Sequence, residues 1–306
     1  MNSTRRRFLV NTGLMMAAQA LAPLGVRAQP VAGIRELRRG VGLFVGPGGT
    51  MGWLATRDGV LVVDSQFQVT AEACIASLRQ RTPAPIQALV NTHHHGDHTA
   101  GNATFRPVVA HIVQHERCAA AHRTLAQTQG PAAQRGLADV TFTDLWSMAI
   151  GDERVSAVHL GAAHTGGDAI VVFERANVVH LGDIVFNRIP PFIDRPSGGS
   201  VVNWLAVLET VAKRHADALF IFGHGKDDMC TGTVRDVTHF RDYLAAALDH
   251  VRKGIAAGRS QGEIAAVPAL PGFADHADLV KNYASPSPLF TLNHVLTIAY
   301  QELTTR

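Results

Sequence analysis

Cysteine is scarce: Cys74, Cys118 and Cys230 are the only three among 306 residues, and no two stand in a C-x-x-C pair. That spacing excludes a thiolate zinc ribbon, and the odd count excludes a framework in which every cysteine is bridged within the chain. Cys74 and Cys118 fall in helix-like stretches and are expected as small core residues. No Ser, Cys or Thr stands in a recognisable elbow, so no side-chain nucleophile is assigned. Long apolar runs are missing too. The stretch from Val10 to Gly25 is interrupted by Asn11, Gln19 and Pro23 and is too short for a membrane span. Beyond the first thirty residues no run of basic side chains occurs, which removes the electrostatic footprint of a nucleic-acid binder.

What is present at the N-terminus is an address. Thr4-Arg5-Arg6-Arg7-Phe8-Leu9 matches the twin-arginine export consensus, and Val26-Arg27-Ala28 supplies a cleavage site before Gln29. Residues 1–28 are therefore expected to be a leader removed after Ala28, handed to the twin-arginine translocase. A single domain of residues 29–306 would be left in the periplasm. The leader holds four arginines and no acid; without it, 24 basic side chains face 25 acidic ones, a net charge of −1 with histidine neutral. The isoelectric point near 9.0 of the whole chain owes much to that segment.

With 46% hydrophobic and 17% charged residues, the remainder has the composition of one large globular domain. Val41 to Val45, Met51 to Thr56 and Val60 to Asp64 read as a β-meander with turns at Pro47-Gly48-Gly49 and Arg57-Asp58-Gly59. A helix over Val69 to Gln80 and a strand over Ile86 to Val90 follow, then a strand over Val108 to Ile112 and a helix over Gln114 to Thr124. Thr128 to Asp139 lacks a clean period and reads as an insertion or mobile flap. Thr141-Phe142, Ser147 to Ile150, Arg154 to His159, Ala169 to Phe173, Val178 to Leu181 and Leu219 to Gly223 read as strands. Helical stripes run through Trp204 to Val211, Phe240 to Val251 and Leu292 to Leu303. Strands followed by helices in both halves predict an α+β chain folded as a four-layer αββα sandwich.

The chemistry concentrates in Asn91-Thr92-His93-His94-His95-Gly96-Asp97-His98, an H-x-H-x-D-H pattern directly after an apolar strand. If that strand runs on, His93 and His95 project to one side and converge on one cation, while His94 points away. Asp97 and His98, at a helix start, can face a second cation. Imidazole and carboxylate together suit zinc, manganese or iron rather than calcium. Three later loops add donors beside apolar strands: Gly161 to Asp168 with His164, His180-Leu181-Gly182-Asp183, and Phe222-Gly223-His224-Gly225. His180 itself reads as a strand histidine.

In this order and spacing, from about Gly40 to Gly225, the chain resembles the metallo-β-lactamase superfamily. The resemblance implies that His93, His95 and His164 bind a first metal ion. Asp97, His98 and His224 would bind a second, and Asp183 would bridge both. It also implies the αββα sandwich, with the C-terminal helices over an outer sheet face. Two divalent ions, zinc foremost and manganese or iron as alternatives, would share a hydroxide that attacks a carbonyl carbon. Asp97 would orient that hydroxide. The expected activity is hydrolysis of a small ester, thioester, lactone or β-lactam. A persulfide dioxygenase with one iron, or a β-lactamase proper of the all-His and Asp type, is the alternative. Asp64, Thr165 and Asp168 are expected to fix histidine tautomers or loop shape. The irregular stretch Asn187 to Ser200 is expected to contact substrate, through Phe192 and Arg195.

Overall fold

The computed structural model describes residues 33–275 and 290–305. The expected leader, residues 1–28, lies outside them. Strands β1 (Ile34–Arg38), β2 (Val41–Phe44), β3 (Met51–Ala55) and β4 (Val60–Val63) form an antiparallel meander. Helix α1 (Gln68–Arg81) carries the chain over to β5 (Ile86–Val90), parallel to β4. Two four-residue helices, α2 (Gly96–Thr99) and α3 (Asn102–Phe105), lead to β6 (Val109–His115), parallel to β5. Helices α4 (Glu116–Gln129) and α5 (Pro131–Gln134) lead to β7 (Val140–Phe142), which closes a seven-stranded sheet in chain order.

The second half builds the other sheet. Strands β8 (Leu145–Ile150), β9 (Glu153–Val158), β10 (Ile170–Phe173) and β11 (Val178–His180) run antiparallel. After β12 (Phe186–Asn187) and helix α6 (Val201–Arg214), strand β13 (Leu219–Ile221) returns parallel to β11. Strand β14 (His224–Gly225) pairs with β12, and β15 (Thr231–Gly232) completes the order β15-β13-β11-β10-β9-β8. Helices α7 (Val234–Ala256), α8 (Gln261–Ala265) and α9 (Leu292–Thr304) end the described chain.

Three buried clusters sit between four layers, and strand alternation creates them. Along the meander, Val41, Leu43, Leu54, Leu61 and Val63 face the other sheet and meet Val155, Ala157, Val171, Phe173 and Ile221. From the same strands Phe44, Met51, Trp53, Val60 and Val62 point outward, onto Cys74, Ile75 and Leu78 of α1. On the far side Trp204, Val207, Leu208 and Val211 of α6 pack with Phe240, Leu244, Leu248, Val295 and Leu296 against Val179 and Phe220. Burying such a side chain fully is worth about 1.5–3 kcal/mol, so these faces hold the layers together. The αββα sandwich expected from element order is what forms.

Four local readings need correction. Strand β1 was not anticipated, because Ile-Arg-Glu-Leu-Arg is mostly exposed and shows no apolar run. Gln114 and His115 belong to β6 rather than to a helix; Gln114 is buried and the His115 ring caps α4 by accepting the Arg117 N–H. Residues 128–139 hold the end of α4, all of α5 and a turn whose Gly136 carbonyl accepts a hydrogen bond from buried Asn102. The strand before the histidine pattern stops at Val90, so His93 and His95 converge from a bend rather than by pleat alternation.

Candidate metal centre

Every loop that carries a candidate donor leaves the same end of its sheet. Strands β4 and β5 are parallel and deliver Asp64 and the histidine loop; β11 and β13 are parallel and deliver Asp183 and His224. The loop after β9, which runs in the same direction as β11 with β10 between them, delivers His164. Close-packed glycines let these loops approach one another. A Cβ at Gly49 would overlap the His98 ring, and one at Gly223 would overlap the Asp183 carboxylate.

All seven expected donors meet. His93 Nε2 lies 3.1 Å and His164 Nε2 2.9 Å from His95 Nδ1, and the three rings form one candidate cation group. Asp97, His98 and His224 form a second, with Asp97 Oδ2 3.1 Å from His224 Nε2 and 3.6 Å from His98 Nε2. Asp183 stands between them. Its Oδ2 is 3.8 Å from His93 Nε2, 3.6 Å from His164 Nε2 and 3.4 Å from His224 Nε2, while Oδ1 is 3.1 Å from His98 Nε2.

The outer hydrogen bonds fix which nitrogen faces inward. A backbone carbonyl and an ionised carboxylate only accept, so the ring nitrogen facing one carries the proton. His164 Nδ1 donates to the Phe192 carbonyl (2.8 Å), and His95 Nε2 donates to Asp194 Oδ2 (2.9 Å). His98 Nδ1 donates to Asp64 Oδ2 (2.8 Å). The Thr92 hydroxyl also donates to Asp64 Oδ2 (2.8 Å), which leaves its oxygen to accept from His93 Nδ1 at 3.1 Å. His93 Nε2, His95 Nδ1 and His164 Nε2 are then three bare lone pairs aimed at one another. No proton is left among them to make those contacts favourable, but a cation is suited to the space. Tetrahedral zinc with nitrogen ligands sets them about 3.3 Å apart.

Electrostatics in the second group make the same demand. His98 Nε2 and Asp183 Oδ1 are buried 3.1 Å apart and neither makes a hydrogen bond, a state that a bound cation relieves. Burial pulls the His98 imidazole down, yet Asp183, Asp97 and Asp64 together raise it well above its ordinary value. The protein thus draws positive charge to that spot. Burial lowers His93 well below its ordinary value and takes His164 to about 4, which leaves both neutral with lone pairs available. Burial would raise Asp97, but His98 and His224 hold it well below the usual carboxylate range, so it is anionic. The residues fit divalent cations at both groups.

The remaining candidates divide by role. Asp64, at φ 61° and fully buried, also accepts the Thr92 N–H at 2.8 Å. Asp168 folds its own loop, taking the Thr165 N–H (2.8 Å) and hydroxyl (2.7 Å), and burial lifts its carboxyl to about 7. The Phe192 ring stands 5.5 Å from His95 and 5.8 Å from His164, and Phe290 extends that wall to within 6.5 Å of His224. Arg195 spends its guanidinium on the Gly199 carbonyl (2.8 Å) and on Glu302 (3.8 Å). His180 is a strand residue whose Nε2 donates to the Thr50 carbonyl at 2.9 Å. His94 lies outside both groups, with Nε2 3.5 Å from Asp194. Sequence reasoning gave no role to Asp194, Thr92 or the buried Asn91–Asn102–Gln114 network under the histidine loop. Asn102, four residues past the last motif histidine, was the one legible hint. Gly258-Arg259-Ser260-Gln261-Gly262 spells the letters of a serine-nucleophile elbow. Ser260, however, follows a helix and caps α8, with its hydroxyl bound to Glu263 at 2.6 Å.

A two-sheet sandwich with His and Asp cation groups at one end is the framework of a metal-dependent hydrolase fold. Residues 45–224 match the family model of the metallo-β-lactamase superfamily, and the protein belongs to that superfamily. Among solved structures it resembles a metallo-β-lactamase from Pontibacter korlensis (18% identity, TM-score 0.56), covering 69% of this chain and 98% of that one. It also resembles the stereoselective inverting sec-alkylsulfatase Pisa1 from Pseudomonas sp. (16% identity, TM-score 0.67), covering 89% of this chain and 50% of that one. A double mutant of that sulfatase gives 17% identity and a TM-score of 0.66. The chain thus spans about half the length of the sulfatases. At these identities the likeness speaks for the fold. No curated protein matches the sequence.

Proposed function

We propose that this protein is an exported two-cation hydrolase that opens a small ester, thioester, lactone or lactam. The observation that carries the reading is Asp183, whose one carboxylate reaches histidines of both cation groups. A carboxylate placed between two complete donor groups supports a pair of ions that share it. His93, His95 and His164 would hold one ion, Asp97, His98 and His224 the other, with Asp183 shared. Bound there, zinc, manganese or iron would supply an activated water and a Lewis acid for the substrate oxygen.

The chain's own residues do the rest. Asp97 is the most exposed donor, with 32% of its side chain accessible against 4% for Asp183. Being anionic, it can accept a hydrogen bond from the attacking water and aim it at the carbonyl carbon. Buried Asp64 holds His93 and His98 with Nε2 inward. Phe192 and Phe290 line the approach with apolar surface, which favours an apolar acyl group over a charged one and keeps bulk water from the reacting atoms. The twin-arginine pattern supports delivery to the periplasm already folded, with the translocase as its transient partner.

The test is metal analysis of untagged, chelator-free protein, followed by a panel of lactones, thioesters, esters and lactams. A secondary alkyl sulfate belongs in the panel because of the solved sulfatases. Two ions per chain with turnover on a carbonyl substrate is the expected result. A single iron with oxygen consumption on a persulfide would replace the hydrolase with a dioxygenase.

A further inference from the structure

Most of the orienting contacts around the first cation group come from one loop. Within residues 188–200, the Phe192 carbonyl takes the His164 Nδ1 proton, and the Asp194 carboxylate takes the His95 Nε2 proton. Asp194 is itself fixed on several sides. Its Oδ1 accepts the Ser197 N–H (3.1 Å), its N–H donates to the His164 carbonyl (3.0 Å), and its carbonyl accepts the Gly199 N–H (2.8 Å). Its side chain is only 11% exposed. His93 and His98, by contrast, are oriented from the other sheet, through Asp64. Two of the three histidines of the first group thus lean on this loop, which touches none of the second group's outer contacts, while His93 shares Asp64 with His98.

His94, His95 and Asp194 lie close enough to be taken for a third cation group. Yet His95 Nε2 must keep its proton if Nδ1 is to bind the first ion, so the proton, rather than a metal, occupies the space facing Asp194.

We propose that Asp194 is a positioning residue for the first cation site: it locks His95 in the tautomer with Nδ1 bare and sets that site's affinity independently of the second. The inference rests on reading His93, His95 and His164 as a cation site. An ionised partner strengthens the hydrogen bond and makes the imidazole a better donor. Asparagine at 194 keeps the size. It carries no charge and offers one oxygen to two N–H donors.

The experiment is chelator competition on wild-type and Asp194→Asn protein loaded with zinc, with the two dissociation constants resolved. One ion should bind about 10- to 100-fold more weakly in the variant, the other within about twofold. Cobalt-loaded protein should lose the absorption of one site only. Two unchanged constants would overturn the proposal, and so would equal weakening of both, which marks a merely structural residue. Should Asp194→Asn fold poorly, histidine nitrogen NMR of the cation-free wild type decides: the proton on His95 Nε2 supports the assignment and the proton on Nδ1 overturns it. A wild-type chain that saturates with one ion would strike the two-cation reading instead. Two wild-type ions, neither weakened by Asp194→Asn, would strike this inference alone.

Discussion

A single buried carboxylate, Asp64, decides the state of two imidazoles in opposite cation groups. It takes the His98 proton directly and the His93 proton through the Thr92 hydroxyl. Asp64→Asn should keep the fold, because the side chain keeps its shape at a position already in the left-handed region. Its amide, however, presents donors to donors. Overall metal affinity should fall about 10- to 100-fold by chelator competition. Asp97→Ala is different in kind: it removes the one accessible carboxylate of the donor set. Turnover should be lost while the ion bound by His93, His95 and His164 is retained; a variant keeping most of its activity would falsify the role given to Asp97. The candidate donors were readable in the sequence because His93, His95, Asp97 and His98 sit within six residues, directly after an apolar strand. Asp194 was not readable. It lies 99 residues from His95 and is marked by nothing but a loop.

At the scale of elements, turns do as much as strands. The β2–β3 turn places Gly49 against the His98 ring, so Gly49→Ala should push the imidazole aside. Loss of one bound ion, counted by metal analysis, with an unchanged far-ultraviolet dichroism spectrum is the expected outcome. Farther from the site, Asp139 ties the chain before β7 to β6, accepting the Ile112 N–H at 2.7 Å and bonding His111 and Arg106. Burial would raise its carboxyl, but the Ile112 hydrogen bond and then His111 and Arg106 lower it. A folded value below the unfolded one stabilises above the unfolded value, about 3.9, and that stability is lost as pH falls through the folded value. The urea midpoints of wild type and Asp139→Asn should therefore differ by a constant, small amount from pH 7 to pH 5, then converge below about pH 4. Long periodic elements such as α6, α7 and β3 to β5 were legible. Strand β1 was not, since an exposed edge strand needs no apolar side chains, and α5 was hidden because four residues are too few to show a period.

Across the whole molecule, three apolar layers fix two sheets so that their loops meet at one end, and the cations would bind only that arrangement. Heat stability should therefore rise with free metal concentration in a calorimetric titration, by an amount that follows the dissociation constant. The last helix takes part. Glu302 of α9 accepts the N–H of Val201 at 2.8 Å and the Ser200 hydroxyl at the start of α6, and lies 3.8 Å from Arg195. It thereby holds the end of the loop that carries Phe192 and Asp194. Glu302→Ala should lower the melting temperature, with about 1.5–3 kcal/mol at stake for hydrogen bonds to a charged acceptor.

That attachment also makes α9 a remote support of the first cation group. Glu302 holds Ser200 and Val201, which follow directly on the loop carrying Phe192 and Asp194. Fraying of α9 would therefore loosen the partners of His95 and His164 while leaving Asp64, and with it His98, in place. Amide exchange in α9 should accordingly slow when the first group takes up an ion, although that helix supplies none of the candidate donors.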